Sequence, residues 1–230
     1  LPDAYKSINE SLLHASAYND RKLKLEMIHS EKLNAENAMD LLGELDGILI
    51  APGFGNRGIE GKIEAIRFAR ENDIPCLGIC LGMQCMVIEF GRNVLGFTDA
   101  NSTEFDLNTR HNVIDMMEEQ KTILNMGGTM RLGAYPCNIK HDSLAYTVYG
   151  KETIKERHRH RYEFNNDYRE QYEQAGVKCS GINPESDLVE IIEIPSKKWF
   201  IGTQFHPEYS STVVNPHPLF IHFIKAAITK

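Results

Sequence analysis

Pro75-Cys76-Leu77-Gly78-Ile79-Cys80-Leu81-Gly82-Met83-Gln84 decides how this chain is read. The run up to Ile79 is apolar, as a strand buried on both faces would be. Cys80 follows with a glycine two residues away on either side. Gly-x-Cys-x-Gly is the pattern of a nucleophile elbow, a sharp turn from strand into helix, with sulfur in place of the serine oxygen. Gly78 and Gly82 keep that turn free of side chains that would clash. The turn lifts the sulfur above the sheet at a helix N-terminus, where the dipole and free amides favour thiolate. A lone buried cysteine is ordinarily a small hydrophobe. The glycine frame displaces that reading here, together with Gln204-Phe205-His206-Pro207-Glu208, a histidine with an acid two residues on.

The pattern around the elbow extends in both directions. Gly47-Ile48-Leu49-Ile50-Ala51 is a second short apolar run, ending in the turn Pro52-Gly53-Phe54-Gly55. A helix is predicted from about Ile59 to Glu71, and another after Cys80. Strand, turn, helix, strand, turn, helix is the grammar of a parallel sheet covered on both faces. Upstream, residues 3–18 read as an amphipathic helix with Ile8, Leu12 and Ala15 on one stripe and Asp3 as N-cap. Leu23-Lys24-Leu25-Glu26-Met27 alternates and reads as a strand. Downstream, residues 113–117, 134–139, 154–164, 177–181, 188–194 and 200–205 all read as strands, and a last helix as residues 218–229. Residues 127–133, with three glycines, read as a turn or a mobile lid, the turn being favoured.

Composition narrows the classes. At 230 residues, 42% hydrophobic and 25% charged, the chain can bury a sizeable core. A formal net charge of −7 argues against nucleic acid as a partner. No apolar run approaches the roughly 18 residues of a membrane span, and the first residues have no signal-peptide character. The five cysteines, Cys76, Cys80, Cys85, Cys137 and Cys179, form neither a disulfide framework nor a zinc-ligand pattern. Reduced thiols and a cytoplasmic location are expected, with no metal.

Three other motifs compete. Gly53-Phe54-Gly55-Asn56-Arg57-Gly58 matches the dinucleotide fingerprint, and Asp73 lies 20 residues after Gly53. Asp73, however, precedes the next strand, whereas the ribose-binding acid should stand at its end. Gly61-Lys62-Ile63 resembles the end of a P-loop, but Ile63 stands where Ser or Thr is needed. Arg157-His158-Arg159-His160-Arg161 should alternate along a strand, arginines one way and histidines the other. That run reads as a solvated edge strand, as an anion-recognising fork, or as a weak metal site from His158 and His160. The amide-rich turn at Gly53 has a further use: beside an elbow, the Gly53 and Leu81 amides can form an oxyanion hole.

Gly78-Ile79-Cys80-Leu81-Gly82-Met83-Gln84 and His206-Pro207-Glu208 resemble the class I glutamine amidotransferase family. Further segments look like one branch of that family: Leu1-Pro2-Asp3-Ala4-Tyr5-Lys6-Ser7, Phe54-Gly55-Asn56-Arg57-Gly58, Asn101-Ser102-Thr103-Glu104-Phe105, residues 127–133 and 156–163, and His217-Pro218-Leu219-Phe220. They span nearly the whole chain. The resemblance implies an α/β fold of flavodoxin-like type, with a mixed, largely parallel central sheet and helices on both faces. It implies one glutaminase domain over residues 1–230. Cys80 would attack the amide of L-glutamine, His206 would carry the proton, and Glu208 would orient His206. Gln84 and Glu104 would contact the amino-acid head group, Glu104 matching the ammonium, and Arg161 would match the carboxylate.

The resemblance places no cofactor in this domain. ATP and Mg belong to a synthetase domain, absent from this sequence, that would take the released ammonia to aminate UTP. GTP would activate near residues 127–133, and the full-length enzyme would form a homo-oligomer through its synthetase half. The sequence departs from the family in two places. The family strand that precedes Leu-Pro-Asp-Ala-Tyr is missing, and the usual Pro-Gly-Gly-Phe-Gly turn reads Ala51-Pro52-Gly53-Phe54-Gly55. Other readings are a subunit for a different synthetase, a stand-alone glutamyl hydrolase, a catalytically silent regulatory module, or a dinucleotide binder.

Overall fold

In the computed structural model, which describes residues 5–116 and 130–229, the apolar run ahead of Cys80 is a fully buried strand. The elements in chain order are α1 (Lys6–Tyr18), α2 (Ala38–Leu42), β1 (Ile48–Ile50), α3 (Ile59–Glu71), β2 (Cys76–Ile79), α4 (Leu81–Asn93), β3 (Asn101–Ser102) and β4 (Asn112–Met116). After them come β5 (Arg131–Ile139), α5 (Leu144–Tyr149), β6 (Thr153–His160), β7 (Tyr162–Phe164), α6 (Arg169–Gln174), β8 (Lys178–Ile182), β9 (Val189–Glu193), β10 (Phe200–Thr203) and α7 (Pro218–Ile228).

Alternation along the strands builds two cores from one sheet. Cys76, Ile192 and Phe200 face the helices α3 and α4, packing with Ile63, Ile66, Met83 and Met86. Leu77, Ile79, Ile191 and Ile201 point the other way, onto Leu12 of α1 and Phe220 and Phe223 of α7. Leu77 and Ile79 are wholly buried, each contributing about 2 kcal/mol through apolar burial. Phe205 ends the same layer and roofs it at the histidine turn.

The described strands form a seven-stranded sheet in the order β1-β2-β10-β9-β8-β5-β6, and a three-stranded sheet β3-β4-β7. The large sheet is mixed, with helices on both faces, as expected. Its parallel pairings are β1 with β2 and β2 with β10. The others are antiparallel, so the parallel share is smaller than the sequence suggests. The reason is connectivity: crossover helices link only the strands around the elbow, and the later strands lack the long crossovers that parallel pairing requires.

Four expectations need correction. Leu23-Lys24-Leu25-Glu26-Met27 is not a strand. A strand needs a ladder partner, and this segment lies across a cavity of about 700 Å³ from β1, lined by Leu12, Leu23, Leu25, Met27 and Leu49 among others. Residues 154–164 are not one strand: the ladder breaks at Arg161, and β6 and β7 belong to different sheets. The turn expected at residues 127–133 lies outside the described residues as far as Thr129, and from Arg131 onward it is strand β5, paired with β6 from Arg131 opposite His160. Helix α1 starts at Lys6 after Tyr5 at the N-cap position, and Asp3 lies outside the described residues.

Candidate active site

The turn after β2 holds Cys80 at φ +54° and ψ −105°, immediately before α4. A side chain there sits in the left-handed region, costing about 1–3 kcal/mol unless the surroundings enforce it. They do. The Cys80 amide donates to Thr203 O at 2.7 Å, and the Gln84 amide donates to Cys80 O at 3.1 Å. The two glycines are required by contact. A Cβ on Gly78 would lie 2.8 Å from Gly82 C and from Met86 Sδ, and one on Gly82 would run into the carbonyl of Ile50. The frame that the sequence displayed is therefore a packing constraint between β2, α4 and β1.

His206 arrives from the neighbouring strand β10. Its amide donates to Arg157 O at 2.8 Å, which ties the turn to edge strand β6. Nδ1 lies 2.7 Å from Glu208 Oε1, and the Tyr209 ring stacks on the imidazole at 5.2 Å. Held this way, Nδ1 carries the proton toward Glu208. Nε2 is buried and has no hydrogen-bond partner among the described residues. A carboxylate that fixes one ring nitrogen and leaves the other free is the arrangement of a general base.

Burial pushes the Cys80 thiol up to about 12, and the charges of Glu208, Glu163 and Glu104 push the same way, while the Leu81 backbone amide opposes them. The Leu81 amide at the helix N-terminus favours thiolate, as its position implies, but desolvation outweighs that one amide. The thiol points to Arg159 O at 4.0 Å and accepts from Gln204 Nε2 at 3.7 Å. Gln204 is buried and was not singled out in the sequence. Its signal was available, since it stands two residues before His206 at the end of a strand beside the elbow.

The other candidates group as follows. A Cβ on Gly53 would touch Leu81 Cδ2 at 3.3 Å, so the two residues of the expected oxyanion pair are neighbours. Gln84 is buried, and its amide hydrogens are both engaged, on Tyr162 O at 2.9 Å and Gln204 Oε1 at 3.2 Å. Only its oxygen is left for a further partner. Glu104 accepts from the Gly55 amide at 3.0 Å, spanning from the loop after β3 to the turn after β1. Arg161 is exposed between β6 and β7. The Tyr162 phenol is raised by burial and by the charge of Glu104 and pulled back by Arg161, which puts a carboxylate and a guanidinium in one neighbourhood.

The basic run alternates along β6 as expected, arginines exposed and histidines buried, and β6 is a sheet edge. His158 and His160 face each other at 2.8 Å, Nδ1 to Nε2. His158 Nε2 lies 2.7 Å from Glu190 Oε2, whose other oxygen lies 2.7 Å from Arg131 Nη1. These nitrogens are occupied within the protein. Burial lowers the pKa of both imidazoles and raises that of Glu163. Among the described residues, no group of three His, Cys, Asp or Glu side chains is placed to hold a metal ion.

An elbow cysteine on a parallel strand, a His–Glu pair at the end of the adjoining strand and a glycine turn beside both form the arrangement that cysteine-nucleophile hydrolases on α/β sheets use. The family model for class-I glutamine amidotransferases matches residues 1–226, and the chain belongs to that family. It is similar to CTP synthase of Bacteroides fragilis, 68% identical over 230 residues, and of Porphyromonas gingivalis, 61% identical over 228. All of this chain aligns with 43% of the first, and 99% of it with 42% of the second. The chain thus spans less than half the length of those curated relatives. Among solved structures it is similar to a Trypanosoma brucei CTPS glutaminase domain with bound acivicin, at TM-score 0.94 and 39% identity, covering 99% of this chain and 89% of that one. A glutamine amidotransferase from Methylobacillus flagellatus, at TM-score 0.55 and 16% identity over 86% of this chain and 65% of that one, shares the fold.

Proposed function

We propose that this chain is the glutaminase domain of a CTP synthase, hydrolysing L-glutamine at Cys80 and supplying ammonia for the amination of UTP. The observation that carries the reading is the elbow at Cys80 beside the paired His206 and Glu208. His206 Nε2 takes the thiol proton as the sulfur bonds to the side-chain carbonyl carbon of glutamine, and the carbonyl π pair moves onto oxygen. The Gly53 and Leu81 amides receive that oxyanion. Collapse restores the carbonyl and breaks the C–N bond, and the proton on Nε2 goes to the leaving nitrogen, releasing ammonia. Water, deprotonated by the same nitrogen, then adds to the thioester carbon. Expulsion of sulfur, which takes the proton back, gives glutamate.

The raised thiol pKa fits this sequence. Burial disfavours the thiolate in the free site, and it forms as the Cys80 proton moves to His206 beside a bound substrate. Glu104 and Arg161 are assigned to the ammonium and carboxylate of glutamine, and the oxygen of Gln84 to the same head group. The acivicin in the Trypanosoma brucei structure is a glutamine analogue, which supports glutamine as the ligand. In the same reading the synthetase half with its ATP and Mg, and the homo-oligomeric assembly it carries, belong to the remainder of a full-length protein, while the GTP activator acts near residues 127–133 of this chain.

The test is mass spectrometry after incubation with 6-diazo-5-oxonorleucine, a glutamine-mimicking diazo ketone. One adduct on Cys80, blocked by excess glutamine, is expected. Modification spread over several cysteines, or an adduct that glutamine leaves untouched, would overturn the reading.

A further inference from the structure

Lys62 is a cation for which the chemistry above has no use. It lies in the first turns of α3, just after the glycine turn, and its side chain folds back to donate from Nζ to Ala51 O at 2.5 Å. Ala51 immediately follows β1, and Pro52 and Gly53 come next. Nζ lies 3.8 Å from the point a Cβ on Gly53 would occupy. The ammonium is thus packed directly under the residue whose amide would receive the oxyanion. Among the described residues Lys62 forms no ion pair, and the Ala51 carbonyl is its hydrogen-bond partner.

Lys62 is half-buried at the wall of the cavity beside β1, and withdrawing an unpaired cation even partly from water is costly, so a neighbour should gain from its placement. Desolvation lowers its pKa, and the acidic groups that oppose this are the thiols of Cys85 and Cys80, not a carboxylate. The neighbour that gains is the turn. Ala51-Pro52-Gly53-Phe54-Gly55 has no strand partner beyond Ile50, and Gly53 and Gly55 give it wide backbone freedom. Glu104 fixes the far end through the Gly55 amide. Lys62 fixes the near end through the Ala51 carbonyl, and the Gly53 amide lies between these two anchors.

We propose that Lys62 is a positioning residue for the oxyanion hole, its ammonium holding the Ala51 carbonyl so that the Gly53 amide stays aimed at the site above Cys80. The proposal rests on the glutaminase reading. It concerns how one donor is oriented and assigns Lys62 no contact with substrate.

Two variants of the full-length protein, compared with wild type, test it: Lys62→Met, which keeps the length and loses the donor, and Lys62→Gln, which keeps a donor and loses the charge. Glutamine hydrolysis is compared with alkylation of Cys80 by iodoacetamide, which needs no oxyanion hole. Lys62→Met should lower kcat for glutamine roughly tenfold, less than loss of an oxyanion donor outright, with KM and the alkylation rate within about twofold of wild type. Lys62→Gln should recover most of the loss. Hydrolysis by Lys62→Met within about twofold of wild type would overturn the proposal. So would a Lys62→Gln no better than Lys62→Met, or an equal slowing of alkylation and hydrolysis, which would place the effect on the sulfur. A wild type that is alkylated but does not hydrolyse glutamine sinks the glutaminase reading instead.

Discussion

His206 Nδ1 sits 2.7 Å from Glu208 Oε1, while Nε2 of the same ring is buried and has no hydrogen-bond partner among the described residues. In the proposed reaction Glu208 sets the tautomer and the ring plane, and the other nitrogen performs the transfer. Glu208→Ala should lower kcat less than His206→Ala, because an imidazole without its orienting carboxylate still carries a proton. A gap of about tenfold or more between the two variants is expected in glutamine hydrolysis. Equal losses would show that the carboxylate acts in more than orientation.

Cys80, the proposed nucleophile, has a φ of +54°. Cys80→Ala should abolish ammonia release and leave the fold intact. Alanine inherits the left-handed backbone, whereas glycine adopts it freely. Cys80→Gly should therefore unfold at least as late as Cys80→Ala, against the roughly 1 kcal/mol by which glycine usually trails alanine. Urea midpoints of the two variants decide it. A Cys80→Gly variant that is clearly the weaker of the two would mean that the turn stores no strain.

Gly82 and Gly55 share a residue type and differ in surroundings. A Cβ at Gly82 meets the Ile50 carbonyl, whereas one at Gly55 meets nothing within 4 Å. Gly82→Ala should cost about 3 kcal/mol or more, since neither β1 nor α4 can move without the other. Gly55→Ala should cost about 1 kcal/mol, from its φ of +72°. Thermal or urea unfolding of both variants reads the difference.

The elbow, the His–Glu pair and the helices beside them were legible because each leaves a local mark: a glycine on either side of Cys80, an acid two residues after His206, an apolar stripe. Residues whose role comes from tertiary packing left none. Lys62 looked like a failed P-loop lysine, and only the fold brings it to Ala51. Leu23 to Met27 has strand periodicity, yet periodicity does not provide a ladder partner. The break at Arg161 was invisible because the alternation of β6 runs on in register toward β7, while the two strands part to different sheets.

Arg131 and Glu190 form a buried pair at 2.7 Å, with Glu163 and His158 against the same charges. Arg131→Met removes the cation and leaves the Glu190 carboxylate in a dry site beside neutral imidazoles. A loss of about 3–5 kcal/mol is expected. Arg131→Met combined with Glu190→Gln should recover a substantial part of it. If the double variant is no more stable than Arg131→Met, the pair is not what holds this end of β5.

Cys80 shares its burial with Cys76, Cys85, Cys137 and Cys179, and burial raises every one of these thiols above the ordinary value of 9.0, to about 12 for Cys80, Cys85 and Cys179. The unfolded chain gives up its thiol protons near pH 9, while the folded chain keeps them. Above pH 9 the folded state therefore binds more protons, and stability falls as pH rises. The contribution is fully present below about pH 9 and is lost progressively toward pH 12, at about 1.4 kcal/mol per thiol for each pH unit. Urea unfolding at pH 8 and pH 10 should show a loss of several kcal/mol, well beyond what one thiol supplies. Alkylating the five thiols in the unfolded chain with a neutral reagent would not test this, since the caps would not fit the core. Replacing Cys137, Cys179 and Cys85 with Ala is the sharper control. The triple variant starts less stable at pH 8, and its loss between pH 8 and pH 10 should shrink to about two-fifths of the wild-type loss, because two of five titrating groups remain. An unchanged loss would assign the alkaline instability to tyrosines or lysines.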